Sequence, residues 1–254
     1  MKRFITVFLL IVLTAAASIS LSGCGSAAGD KWSGLSGIKA PWGDYEEALY
    51  KYTANGKVTD DIEFIIEKSE LNGVEVFKMQ DPLLIKKGEY VTGAVVEADT
   101  LKPVSSFFTR HLPEQYKDKL MEITGDYRDK LYITAKSSAG TQNLQVKLSG
   151  ECVDNESSLM AIRAMPLAEG YSRVFNLCIL STAKLAPFEV KVIGKEKVSV
   201  PFGETECYKV EMQYKGLMPA PAISVWYSAD HKKTMYKYLR GTTLFELKSV
   251  KYEK

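Results

Sequence analysis

Tyr208-Lys209-Val210-Glu211-Met212-Gln213-Tyr214 reads apolar and polar in strict alternation. A two-residue period puts Tyr208, Val210, Met212 and Tyr214 on one side of an extended chain. Lys209, Glu211 and Gln213 fall on the other, which marks a strand with one buried and one wet face. Just upstream, Phe188, Val190 and Val192 alternate with Glu189 and Lys191 in the same way. Turn signals at Gly194-Lys195, Gly203-Glu204, Asp230-His231 and Arg240-Gly241 divide the region. The expected strands are 188–193, 196–201, 206–215, 222–228, 234–239 and 243–252. That is roughly one strand every ten residues, the spacing of an antiparallel meander.

Further towards the N-terminus the alternation recurs in Ile62-Phe64-Ile66, Leu131-Ile133-Ala135 and Leu144-Val146-Leu148, with turn signals at Lys87-Gly88 and Gly140. Two stretches break the pattern. Residues 113–122 (PEQYKDKLME) are polar with weak helical spacing, and 157–164 (SSLMAIRA) fit a short helix stopped by Pro166. No internal repeat is visible. The expectation is a mainly β fold, a curved antiparallel sheet or open barrel with one or two short helices, in a single domain over residues 38–254.

The N-terminus has a different character. Lys2 and Arg3 precede an apolar run from Phe4 to Ala17, followed by Leu21-Ser22-Gly23-Cys24. The run is too short to span a bilayer, which takes about 20 residues, but it suits the apolar region of a signal peptide. Leu21 to Cys24 resembles the bacterial lipobox, in which small residues admit the chain to a peptidase and the cysteine thiol takes a diacylglyceryl group. Residues 1–23 are therefore expected to be a signal peptide and Cys24 the lipidated N-terminus. Residues 24–37 are rich in Gly and Ser and read as a flexible tether. Two acyl chains anchor a protein stably where one does not, so no transmembrane helix is needed. The expected location is the extracytoplasmic face of a bacterial cell membrane.

Charge narrows the partners. The chain carries 33 Lys+Arg against 31 Asp+Glu, and Lys2 and Arg3 leave with the leader, so the mature protein is formally neutral. Neutrality with interspersed signs argues against nucleic acid and against a basic lipid-binding patch. Cys152, Cys178 and Cys207 form an odd set with no CxxC, and His111 and His231 are the only histidines. No metal site and no cofactor is expected from such spacing. The choice between buried thiols and one bridge plus a free thiol stays open.

Catalytic patterns are absent from the sequence. There is no G-x-S-x-G, no phosphate-binding glycine loop and no dinucleotide fingerprint. Cys178 lies in the apolar FNLCIL, whereas Cys207, beside Glu206, is the more reactive-looking thiol. No catalytic residue is nominated, and the protein is expected not to be an enzyme. Arg163 sits in the apolar MAIRAMPL, where an unpaired guanidinium is costly. It could bind a carboxylate or phosphate at a cavity mouth, or pair with a strand carboxylate. Tyr208, Tyr214, Trp226, Tyr227, Tyr236 and Tyr238 crowd the C-terminal strands. They could line an apolar cavity, with Tyr208, Trp226 and Tyr236 as candidate binding residues beside Arg163, or fill a core.

Several short motifs occur in a telling order: Asp99-Thr100-Leu101-Lys102-Pro103, then Asp154-Asn155-Glu156 leading into Arg163-Ala164-Met165-Pro166-Leu167. Val200-Pro201-Phe202-Gly203, Cys207-Tyr208-Lys209-Val210 and Trp226-Tyr227-Ser228 follow. From about Glu47 to Ser249 this order resembles the exported bacterial β-proteins grouped as domain-of-unknown-function family 3108. The resemblance implies an antiparallel curved-sheet envelope fold, loosely similar to periplasmic lipoprotein carriers, and no established reaction. Two functions are expected to compete. One is an anchored binding module holding an apolar ligand, a lipid or acyl chain. The other is a structural or protein-interaction module of the cell envelope with a filled core.

Overall fold

A computed structural model describes residues 32–81, 90–111, 120–216 and 220–253. The signal peptide, Cys24 and the Lys87-Gly88 turn lie outside the described residues. So does most of the 113–122 stretch, whose last residues, from Leu120 on, are strand.

The described residues form fifteen strands in one sheet. The N-terminal arm is β1 (Tyr45–Ala54), β2 (Lys57–Leu71), β3 (Val74–Asp81), β4 (Tyr90–Glu97), β5 (Pro103–His111), β6 (Leu120–Tyr127), β7 (Lys130–Ser137) and β8 (Gly140–Lys147). The C-terminal arm is β9 (Cys152–Asp154), β10 (Ser172–Ile179), β11 (Lys184–Val200), β12 (Gly203–Tyr214), β13 (Ile223–Ser228), β14 (Met235–Arg240) and β15 (Thr243–Glu253). Each arm is a meander, and the two join where β1 pairs antiparallel with β15. The spatial order runs β8 to β1, then β15 down to β9, so the sheet stays open with β8 and β9 as its edges. Every pairing is antiparallel except β9 with β10.

The expected C-terminal strands appear, with one correction. Residues 188–193 and 196–201 do not form two strands, because Gly194-Lys195 is not a turn. β11 runs through it as one 17-residue strand with a bulge: Val192 pairs with Val210 but Gly194 with Lys209. One extra residue, the exposed Ile193, is extruded and the ladder resumes. The bulge turns Val198 and Val200 to the face opposite Val190 and Val192, and all four are buried.

A second correction concerns Leu144-Val146-Leu148. The alternation is real, but β8 pairs only with β7 and is exposed along nearly its whole length, with Leu144 44% exposed. Val146 packs partly against a core cluster, and Leu148, just past the strand, is buried within it.

The connection from β9 to β10 carries a 3-10 turn (Asn155–Ser157) and α1 (Ser158–Arg163). Asp154 caps the turn by accepting from the Glu156 N–H at 2.8 Å. A six-residue helix has no stability of its own, since isolated helices need roughly 12–15 residues. Packing holds this one. Ala161 and Ile162 join a large core cluster with Tyr50, Val210, Val225 and Leu247, while Met160 and Ala164 join a second cluster with Trp42, Ile66 and Val96. Tyr227 Oη, on buried β13, donates to the Leu159 carbonyl at 2.7 Å. The helix therefore fills space inside the curved sheet.

The expected tether covers residues 24–37, but its described part, from Trp32 on, is packed against the fold. Trp32 and Leu35 are buried, and Trp32 Nε1 donates to the Arg128 carbonyl at 2.6 Å. Ser33 donates its N–H to Gly150 O at 3.0 Å and accepts from Cys152 N at 2.8 Å, covering the free side of β9. Trp32 and Leu35 are thus seated in the fold, where the indole buries a large apolar surface.

Candidate functional site

Arg163 is fully buried at the end of α1. Its Nη1 and Nη2 grip Glu46 Oε1 and Oε2 at 2.6 and 2.8 Å, a two-pronged pair with a residue of β1. Nε and Nη2 also donate to the Lys232 carbonyl at 2.9 and 2.7 Å, and Nη1 approaches Met160 Sδ at 3.9 Å. All five guanidinium donors are thereby engaged. The Trp42 ring lies 5.4 Å away. Arg163 is therefore not at a cavity mouth: it is the strand-paired arginine, and it ties α1 to β1 and to the loop before β14.

Tyr208, Trp226 and Tyr236 are not gathered around it. Trp226 lies between Lys209 and Lys237 across β12, β13 and β14, with their ammonium groups 5.6 and 5.1 Å from the ring, and donates from Nε1 to Glu196 at 2.5 Å. Tyr208 sits under Lys195, and Tyr236 meets Phe202 edge-on at 5.9 Å. These rings fill and cover the sheet.

The three thiols are all buried and unbridged. Cys207 is not the reactive one. Burial, reinforced by Asp230, Glu196 and Glu206, pushes its thiol up to about 12. In the sequence its exposed neighbour Glu206 hides the fact that Cys207 itself packs into the main core cluster. Cys152 and Cys178 lie on neighbouring β9 and β10 and their thiols interact directly. That contact lowers Cys152, raises Cys178 and favours a proton on the latter. Beside them Tyr127 donates its hydroxyl to Asp154 Oδ2. Burial, with Glu156 nearby, raises Asp154 to about 7. The Ser106 hydroxyl lies close enough to lower the carboxyl somewhat, although its geometry falls short of a formal hydrogen bond. This cluster is sealed, with Cys152, Cys178 and Asp154 each showing 0% exposure. Among the described residues no group of three or more His, Cys, Asp or Glu could hold a metal ion.

Sequence reasoning missed a groove of about 470 Å³ on β5, β6 and β7. Buried Ser106 and Phe108, Ile123 and Tyr127, and Leu131 and Ile133 define the inner face of these strands. The intervening residues face outwards and pair in two rows. Ser105, Asp126 and Tyr132 stand opposite one another, as do Phe107, Thr124 and Thr134. Asp126 Oδ2 receives Arg128 Nε at 2.8 Å, and Tyr132 Oη donates to Asp129 at 2.9 Å. Ser105 and Thr124 make no side-chain hydrogen bond to another described residue. The signal was present in Asp126-Tyr127-Arg128 and Tyr132-Ile133-Thr134, where a carboxylate and a guanidinium share the outward face with an aromatic ring and a hydroxyl. A second depression of about 270 Å³ is walled by Lys39, Asp44, Lys68, Glu75 and Asp99.

Two meanders zipped at β1 and β15, slit at β8 and β9 and plugged by α1, define an open barrel-like β-protein. The family model for "protein of unknown function (DUF3108)" matches residues 45–243, and the chain belongs to this family. Among solved structures it is similar to a β-barrel-like protein of domain of unknown function DUF1849 from Brucella abortus. The TM-score is 0.49 at 10% identity, over 85% of this chain and 100% of that one. A protein with a YmcC-like fold from Bacteroides fragilis is similar at a TM-score of 0.30 and 12% identity, over 84% of this chain and 99% of the other. No curated protein matches the chain.

Proposed function

We propose that this chain is a lipid-anchored, extracytoplasmic module without catalytic activity that works through the outside of its sheet. The observation that carries the reading is the plugged interior. α1 and the Arg163–Glu46 pair occupy the space where an apolar ligand would have to lie. Of two depressions on the described surface, one is walled by charged side chains and the other breaks its aromatic surface with hydroxyls and an ion pair, so neither suits a lipid or an acyl chain. The sealed thiols leave no accessible cysteine nucleophile among the described residues.

Anchoring rests on Leu21-Ser22-Gly23-Cys24. Trp32, eight residues after Cys24, is already seated in the fold. The domain would then work close to the lipid surface. Growth with an alkyne-tagged palmitate should label the wild-type chain and not Cys24→Ser. The unacylated Cys24→Ser chain should take up no fluorescent lipophilic probe, and should be retained on envelope components to which it is cross-linked in cells. Saturable probe uptake would restore the apolar-carrier reading and sink this one.

A further inference from the structure

The groove on β5, β6 and β7 has a chemistry that selects among ligands. Its two charges, Asp126 and Arg128, are paired with each other, so it offers no net positive charge to a phosphate or carboxylate. Hydroxyl groups interrupt its apolar surface, so an acyl chain would strand Ser105 and Thr124 without partners. What remains is a ligand with apolar faces and a rim of hydroxyls.

Phe107 and Tyr132 stand at opposite corners of the two rows, two strands apart and one row apart. Strand spacing and rise put these positions about 12 Å from each other. Phe107 does not stand upright. Opposite it on β4 is Gly93, where an added Cβ would lie 2.8 Å from the Phe107 ring. The absent side chain lets the ring lean across β4, away from Thr124 in the middle of the groove. Half-buried Tyr132 is fixed by its bond to Asp129, and the Arg128 guanidinium sits 5.5 Å from its ring. Between the two rings lie Thr124, Ser105 and the Asp126–Arg128 pair. Asp126 Oδ1 and Arg128 Nη1 take no described partner.

We propose that this groove binds a neutral carbohydrate segment about two sugar rings long. The C–H faces of the sugars stack on Phe107 and Tyr132, and their vicinal hydroxyls pair with Asp126, Arg128 and Thr124. Sugar rings carry an apolar face and an equatorial rim of hydroxyls. Aromatic faces flanking a planar carboxylate and guanidinium meet both parts. The volume falls inside the roughly 300–1,000 Å³ of small-molecule sites. This inference rests on the reading that the domain works from its outer face, and it names the ligand class for that face.

The test uses the full chain carrying Cys24→Ser and three neutral probes: cellotetraose, tetra-N-acetylchitotetraose and maltotetraose. Saturation-transfer NMR and calorimetry should show saturable binding of at least one, at the millimolar to submillimolar level usual for a shallow wet site. Tyr132→Ala should weaken it about three- to tenfold, the scale of one aromatic contact. Asp126→Asn should weaken it as well, and Tyr208→Ala, on another part of the sheet, should not. Inorganic phosphate and decanoate should fail to compete. No saturable binding of any of the three sugars up to about 10 mM, a limit equivalent to less than about 3 kcal/mol, would overturn the proposal. So would binding that is undiminished in both groove variants. If sugars fail while envelope capture persists, the outer-face reading survives without the sugar; if the lipophilic probe is taken up, both readings fall.

Discussion

At the scale of single residues, the decisive group is a charge that the sequence exposes and half explains. Arg163 stands out in an apolar run, and its need for a partner is legible. Which partner is not, because Glu46 lies 117 residues away and only the completed sheet brings them together. Removing one member of such a pair strands the other in a dry interior at a cost of about 3–5 kcal/mol, while replacing both with apolar groups is often near neutral. Glu46→Ala should lower the urea midpoint accordingly, and Glu46→Met with Arg163→Met should recover most of the loss. A cost near zero for Glu46→Ala would mean that the pair holds nothing. Asp154 makes a second residue-scale prediction. Its folded value of about 7 lies above the usual 3.8, so between those values the folded protein holds a proton that the unfolded chain has released. This group's stabilising contribution is complete below about pH 4, falls as pH rises towards 7 and is flat beyond. Denaturation curves from pH 4 to 8 should show a loss on the order of a few kcal/mol that Asp154→Asn flattens.

Single elements differ in how openly they announce themselves. β12, β13, β14 and β15 follow the alternation and turn signals closely, since each has one face in the core and one in water. β11 does not, because a single extruded residue, Ile193, leaves no mark in composition while reversing the faces beyond it. β8 misleads differently. Its pattern is that of a buried strand, but position at the sheet edge, a property of topology alone, leaves it in solvent. The groove escaped notice because alternation was used to find the inner face and the outer residues were set aside as wet. Burial therefore predicts opposite outcomes for two similar truncations. Ile162→Ala in α1, 0% exposed, should cost about 2–5 kcal/mol, whereas Leu144→Ala in β8 should stay within about 0.5 kcal/mol. Equal midpoints for the two would contradict the plugged interior.

For the molecule as a whole, the three described cysteines report on integrity from two separate regions. Cys207 sits in the main core cluster, and Cys152 and Cys178 sit in the cluster under Trp32. A thiol reagent at neutral pH should leave all three unmodified over hours in native conditions. As urea is raised, the three should become reactive together, at the midpoint seen by circular dichroism. Early labelling of Cys152 and Cys178 alone would instead show that the region beside the β8–β9 slit opens independently of the zipped centre. The overall architecture, a curved open sheet, was legible from periodicity. The filling of its interior was not, because no local pattern says which side of a helix such as 158–163 will meet which strand.

The pairing of β1 with β15 sets a timetable. Ribosomes make β1 before any other strand and β15 after all of them, yet the two lie side by side at the middle of the sheet. A nascent polypeptide of this kind cannot finish its fold while it is being synthesised, since its central seam waits for the final strand. For the exported chain proposed above, such a delay would keep the polypeptide loose enough to thread through an export channel and leave the closing step to the far side.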